Sequence, residues 1–253
     1  MNNDSKGFLI YVLDDEGHTQ YQTLAQTCVA QLRSNFPNTP IACVTWDHVT
    51  KLDLSVDHVV PISKTLPNNY RNRKQPTWHN GYRAYANLHT PFDQTVMVDV
   101  DYWCVGNRIE WFFNVEMGAF KTAKFINNTP LSARDRCFGE SGLDIFWGTV
   151  LGWKTNKRNN NFWSKLQQNI LLWPAIAWQM NQKISPMRFD HLFTYTVIQE
   201  DHWVQTAPFD LNHNNSQLKM IGFYNTFSYW QLHNSPGYEF AFFNDIHLVH
   251  KTQ

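Results

Sequence analysis

The run FLIYVL, Phe8 to Leu13, limits the fold of this chain more than any other stretch. Unbroken apolar and aromatic residues leave no polar face, so a strand made of them is buried on both sides. Such a strand belongs inside a parallel sheet, and a parallel neighbour requires a crossover, usually a helix. The sequence supplies one: Tyr21, Leu24, Cys28 and Leu32 recur at helical spacing, and Pro37 closes the segment. PIACVTW (Pro40–Trp46) predicts a second strand, and DHVVPIS (Asp57–Ser63) a third. A polar stretch, LPNNYRNRKQPT, leads into a predicted helix from Trp78 to about His89, and TVMVDVDYW (Thr95–Trp103) follows as a fourth strand. This order predicts an α/β protein, with a mostly parallel Rossmann-type sheet flanked by helices. The second half is less regular. MGAFKTAKFI, DIFWGTVLGWK and the late AFFNDIHLVHK read as strands, NNFWSKLQQNILLW and DHLFTYTVIQE as helices, and the polar region near Asn212–Gln217 as a loop. No repeat or linker divides the chain, so a single domain is expected.

Composition narrows the function. Hydrophobic residues make up 43% of the 253, enough for a sizeable core and against global disorder. Lysine plus arginine and aspartate plus glutamate both number 21, which argues against a generally basic nucleic-acid binder but permits a local basic groove. The four cysteines form no C-x-x-C pair, so neither a zinc site nor a disulfide framework is expected. MNNDSKGF lacks a basic-then-apolar signal pattern, and the longest apolar run, ILLWPAIAW, is far too short to span a bilayer. The expectation is a soluble, cytoplasmic protein that does not enter a membrane.

The fourth strand poses a chemical question. Read as one regular strand, TVMVDVDYW puts Val96, Val98 and Val100 on one face and Met97, Asp99, Asp101 and Trp103 on the other. Two carboxylates on one buried face repel each other and lose hydration, so something must compensate them. A divalent cation is the simplest candidate. In an open α/β sheet ligands bind beyond the carboxyl ends of the strands. There the first strand ends in Asp14 and Asp15 and the fourth in Asp99 and Asp101, so both pairs border one crevice. Carboxylates, water and a substrate diphosphate make an oxygen-rich shell suited to Mg2+ or Mn2+.

At these residues the chain resembles the GT-A glycosyltransferases, which transfer sugars from nucleotide-sugar donors. FLIYVLDD resembles their first, nucleoside-contacting strand, and Asp99-Val100-Asp101 their metal-binding D-x-D. Arg83, sixteen residues upstream of Asp99, stands where the glycogenin-like branch carries a donor-contacting Lys or Arg. DIFWGTVLGWK and NNFWSKL resemble the strand and helix that follow the D-x-D. DIHLVHK resembles a late segment in which a histidine completes the metal site and a lysine approaches the diphosphate. The resemblance therefore implies a GT-A-like single domain over 1–253, with a nucleotide-binding half over about 1–105. An acceptor half with a C-terminal metal-site segment would fill about 106–253. It implies Asp99, Asp101 and His247 as metal ligands, and Asp14, Arg83, Asp99 and Lys251 as donor contacts. It implies Mn2+ or Mg2+ as cofactor and a nucleoside-diphosphate sugar, UDP-sugar by family frequency, as partner. His250 remains an alternative to His247. A regular strand would turn the two to opposite faces, so at most one ligates.

Asp190, in RFDHLF, stands at a predicted helix start. The plain reading is a helix cap. The resemblance implies instead a catalytic base, as inverting GT-A enzymes often hold one there; Glu140 and Asp144 compete for that role. For the acceptor, some bacteriophage enzymes of this kind glycosylate modified DNA bases. YRNRK (Tyr70–Lys74) and WKTNKR (Trp153–Arg158) mix basic and aromatic residues as a nucleic-acid groove would, although each also reads as a solvated loop. A metal-dependent nuclease or phosphoesterase using Asp99 and Asp101, and a catalytically silent sugar-nucleotide or nucleic-acid binding module, are the alternatives.

Overall fold

The computed structural model describes residues 5–14, 20–49, 52–65, 79–104, 106–121, 144–179 and 187–209, and by backbone alone short strands between 125 and 143 and between 212 and 249. In chain order the strands are β1 Lys6–Val12, β2 Ile41–Trp46, β3 His58–Ile62, β4 Gln94–Val98, β5 Tyr102–Trp103, β6 Met117–Lys121, β7 Phe125–Ile126, β8 Thr129–Pro130, β9 Cys137–Phe138, β10 Leu143–Asp144, β11 Phe146–Lys154, β12 Gln205–Thr206, β13 Asn212–Asn215, β14 Leu218–Tyr224, β15 Phe227–Leu232, β16 Ser235–Phe242 and β17 Ile246–Val249. The helices are α1 Gln20–Asn35, α2 Ala86–His89, α3 Lys157–Leu171, α4 Trp173–Gln179 and α5 Phe189–Gln199.

Seven strands form the central sheet in the order β12-β6-β11-β4-β1-β2-β3. All run parallel except β11, which is antiparallel to both β4 and β6. Alternation along β1 splits the core in two, as an inner strand must. Phe8, Ile10 and Val12 pack with Ala25, Cys28, Val29 and Leu32 of α1. Leu9 packs on the opposite face with Met97, Leu151 and residues of α3 and α5, among them Trp163, Leu166 and Phe193. The mixed α/β sheet flanked by helices is the predicted architecture. Among the described residues no helix is long and apolar enough to cross a membrane.

Four local readings are corrected. TVMVDVDYW is not one strand: β4 ends at Val98, Val100 and Asp101 form a turn, and β5 resumes at Tyr102. Val96, Val98 and Val100 do share the α1-side core and Met97 the other, but past the turn Trp103 joins the valines. The helix predicted from Trp78 to His89 is a 3-10 helix over Asn80–Tyr85 that becomes α-helical only at α2. The polar stretch near Asn212 is not all loop: Asn212–Asn215 is β13, paired in parallel with β17. AFFNDIHLVHK is two strands, the end of β16 and then β17.

One buried histidine ties α3 to the segment after α5. Asn156 caps α3, its side chain accepting from the Asn159 N–H at 2.9 Å. The Asn159 amide donates to the carbonyls of Glu116 and Lys154, and its oxygen lies 3.1 Å from His202 Nε2. The His202 ring packs 4.5 Å from that of Phe162. Burial, reinforced by Arg158, pushes His202 down to about 4. The unfolded chain therefore takes up the proton first, near pH 6.5. The stabilisation is complete above that pH and is lost as pH falls toward 4; burial shifts His89 in the same direction. We expect Tm to fall across this window, with His202 accounting for about 1–2 kcal/mol after screening. His202→Gln should flatten the slope of Tm against pH between 6.5 and 4.5, and an unchanged slope would remove His202 as its source.

Candidate active site

The sheet changes direction of growth between β1 and β4, with β2 and β3 added on one side and β4 and β11 on the other. In open α/β sheets the crevice beyond the carboxyl ends at such a switch point is where ligands bind. Asp14 follows β1 there, and Asp99 and Asp101 follow β4.

The three carboxylates stand differently. Asp14 accepts from the backbone N–H groups of Tyr21 and Gln22, both at 2.8 Å, and so satisfies donors in the first turn of α1. Its carbonyl accepts from Trp46 Nε1 at 2.9 Å. Asp99 is fixed through its main chain, which donates to Thr149 O at 2.8 Å and accepts from Tyr102 N–H at 2.9 Å. Its carboxylate is about a quarter exposed and lies 3.1 Å from Arg83 Nη1. Asp101, in the turn, is only 5% exposed. Behind both, Cys28 Sγ approaches Asp99 O at 3.8 Å. Burial first, then the charges of Asp101 and Asp99, push that thiol's pKa upward, so it is inert at neutral pH.

Arg83 is the hub of the site. It is buried, and its Nη2 donates to Gly148 O while its Nη1 pairs with Asp99. Its guanidinium lies 4.7 Å from the centre of the Phe189 ring, a cation–π arrangement. Gly148 sits where the pairing of β11 with β6 shifts register, between Trp147 and Leu151, a bulge of the kind that re-aims groups at sheet rims. Its N–H donates to Asp190 Oδ1 at 2.8 Å. Asp190 is the second residue of α5 and does not cap it; the cap position is Arg188, which makes no side-chain cap bond. The Asp190 carboxylate instead reaches β11, with its other oxygen 3.9 Å from Arg188 Nη2.

Asp99, Arg83 and Asp190 are thus joined in one continuous network. By backbone register His247 stands opposite Tyr102, next to Asp101 in sequence, because β17 runs antiparallel to β5. Asp15, Glu140, His250 and Lys251 lie outside the described residues, as does the basic segment Tyr70–Lys74. Asp144 is apart from the network, exposed and 3.4 Å from Lys121 Nζ. The segment Trp153–Arg158 does not border the crevice. Trp153 is buried against Trp163, 4.9 Å between ring centres, and Lys154 pairs with Gln94 at the amino end of β4, opposite Asp99.

Two features escaped the reading of the sequence. Gly148 and Phe189 organise the network, and a glycine inside an apolar strand is the signal that could have found them. The other is an aromatic corner beyond β2, where the Trp46 ring lies 4.7 Å from His79 and 5.1 Å from Tyr82, with Lys64 Nζ 5.7 Å from it. As to a metal, no group of three potential ligands occurs among the described residues. Asp99 and Asp101 supply hard oxygen donors that suit Mg2+ or Mn2+, and residue 247 is adjacent by register.

The chain has the GT-A glycosyltransferase fold. Mouse xyloside xylosyltransferase 1 superposes with a TM-score of 0.51 at 12% identity, covering 79% of this chain and 84% of that one. The galactosyltransferase LgtC, crystallised with donor and acceptor sugar analogues, gives 0.47 at 10% identity over 79% of this chain and 72% of its own. The glycosyltransferase GlyE of Streptococcus pneumoniae gives 0.46 at 10% identity over 81% of this chain, which spans under half of GlyE, 45%. No protein-family model matches the sequence, and no curated protein matches it.

Proposed function

We propose that this chain is a metal-dependent glycosyltransferase that moves a sugar, hexose or pentose, from a nucleoside-diphosphate sugar to a hydroxyl acceptor. The observation that carries this reading is the network at the switch-point crevice, in which Arg83 joins Asp99 to the Gly148 carbonyl and the Gly148 N–H holds Asp190. In this reading Asp190 takes the proton of the acceptor hydroxyl, with its carboxylate oriented by the Gly148 N–H. Arg83 fixes Asp99 and adds positive charge near the donor, and Lys251 would add positive charge there from the C-terminal segment. Asp99, Asp101 and His247 would hold Mn2+ or Mg2+, which when bound neutralises charge on the leaving diphosphate. UDP is the donor nucleotide to test first.

A hydroxylated base in DNA is one acceptor class. Since Trp153–Arg158 lies away from the crevice, DNA contacts would have to come from elsewhere, such as Tyr70–Lys74. Mass spectrometry of nucleosides after incubating hydroxymethylpyrimidine DNA with UDP-sugars and Mn2+ decides this. Transfer to a glycan, protein or small molecule alone would exclude DNA and keep the enzyme class. Cleavage of DNA without sugar transfer would favour the nuclease alternative.

The central test uses ligand-linked stability. At about 100 times its Kd, UDP should add about 2.7 kcal/mol, a rise of about 5–10 °C in Tm for a chain of this size. We expect the rise to be larger with Mn2+ than with EDTA, and Asp101→Asn to abolish the metal-dependent part. An unchanged increment in that variant would remove Asp101 from the metal site.

A further inference from the structure

Gly148 turns both of its main-chain polar groups away from the sheet and onto charged side chains. Its carbonyl accepts from Arg83 Nη2, and its N–H donates to Asp190 Oδ1 at 2.8 Å. Arg83 is itself held 3.1 Å from Asp99. One residue, through the two peptide groups that flank its Cα, therefore spans the aspartate after β4 and the carboxylate in the first turn of α5. The neighbouring backbone supports the same docking: Phe146 N–H donates to Thr194 Oγ1 at 2.9 Å, one turn further along α5.

The space at residue 148 is closed. A Cβ there would meet Phe189 Cδ1 at 2.7 Å and Cε1 at 2.8 Å, and Asp190 Oδ1 at 3.3 Å. The first two are closer than side-chain carbons can approach, and the obstructing atoms belong to a buried ring that also packs under the Arg83 guanidinium at 4.7 Å. A side chain at 148 would push Phe189, and with it the adjoining Asp190, away from β11. Phe189 cannot yield without disturbing Arg83.

We infer that Gly148 is a positioning residue, which sets the distance and orientation of the Asp190 carboxylate relative to the Asp99–Arg83 pair by admitting Phe189 and Asp190 against the strand. It rests on Asp190 as base and on Asp99 and Arg83 as the donor end. Gly148 touches neither substrate in this account and acts only through Asp190 and Arg83. A displacement of about 1 Å in a reacting group costs about 100-fold in rate, and Gly148→Ala imposes a displacement of that order.

The experiment is steady-state kinetics on Gly148→Ala, on Phe189→Leu and on the double variant, with Tm measured for each. The expected result is a kcat roughly 30–300-fold lower for Gly148→Ala with KM for the nucleotide sugar within about threefold. Phe189→Leu in that background should restore kcat at least about fivefold, because the smaller side chain leaves room for the new methyl. Turnover of Gly148→Ala within threefold of wild type, or a loss that Phe189→Leu does not relieve, overturns the inference. A second measurement is independent of activity. Exchange of the Gly148 amide proton should be slow in the wild-type protein and at least about tenfold faster in Asp190→Ala, which removes its acceptor. If wild-type protein transfers no sugar, the functional reading fails, and the exchange alone decides whether Gly148 holds Asp190: equal rates in the two proteins would show that it does not.

Discussion

Asp190→Asn is expected to lose about 10²–10⁴-fold in turnover while UDP affinity changes by no more than a few-fold. The substitution is nearly isosteric. The asparagine oxygen can still accept from the Gly148 N–H that now binds Asp190 Oδ1 at 2.8 Å, so α5 stays docked on β11. What disappears is a group that can accept a proton from a hydroxyl nucleophile. Kinetics and calorimetric titration with UDP separate the two effects. Near-normal turnover would leave Asp190 as a tie between helix and strand and move the base elsewhere. Loss of UDP binding together with turnover would place Asp190 at the donor instead.

The second large effect is expected at Arg83. Its side chain is 7% exposed and pairs with Asp99, which is 26% exposed. Arg83→Met fills much of the volume but removes the cation 3.1 Å from the Asp99 carboxylate and the donor to the Gly148 carbonyl. Breaking such a pair from one side costs more than the pair itself is worth. With Asp99 partly hydrated, we expect about 2–4 kcal/mol, a fall in Tm of roughly 5–15 °C. Arg83→Lys should recover only part of this, since an ammonium cannot make two directed contacts and lie flat on Phe189 at once. The decisive comparison is Arg83→Met with and without Asp99→Asn. The double variant should be more stable than the sum of the single losses predicts, by at least about 1 kcal/mol. Additive losses would mean that the pair contributes nothing to the fold.

Much of the sheet was legible because its strands are short apolar runs between polar punctuation. FLIYVL, PIACVTW and DIFWGTVLGWK all became strands of the central sheet, and the helices after the first and last of them formed as spacing predicted. The position of Asp99 at the carboxyl end of β4 was legible for the same reason. The turn at Val100–Asp101 was not. Val100 continues the alternation, and the break depends on Tyr102 and Trp103 pairing with His247 and Ile246 from the far end of the chain. The polar strand Asn212–Asn215 was hidden because its pairing with β17 is a backbone matter that side-chain periodicity does not report. The helix start at Asp190 was legible, but the direction of its side chain was not. Whether a carboxylate at a helix start caps that helix or crosses to another element depends on what lies opposite, here the N–H of a glycine 42 residues earlier.

The bonds of Asp14 limit how this crevice can hold a diphosphate. In many nucleotide-binding α/β proteins the helix after the first strand aims its N-terminal N–H groups, with their partial positive charge, at a phosphate. Here two such groups in α1, those of Tyr21 and Gln22, are already taken by a carboxylate of the protein itself. A phosphate approaching this helix end would meet a negative charge and would have to displace two short hydrogen bonds. Nucleotide affinity should then come from cations rather than from the helix dipole, and should respond steeply to divalent ions.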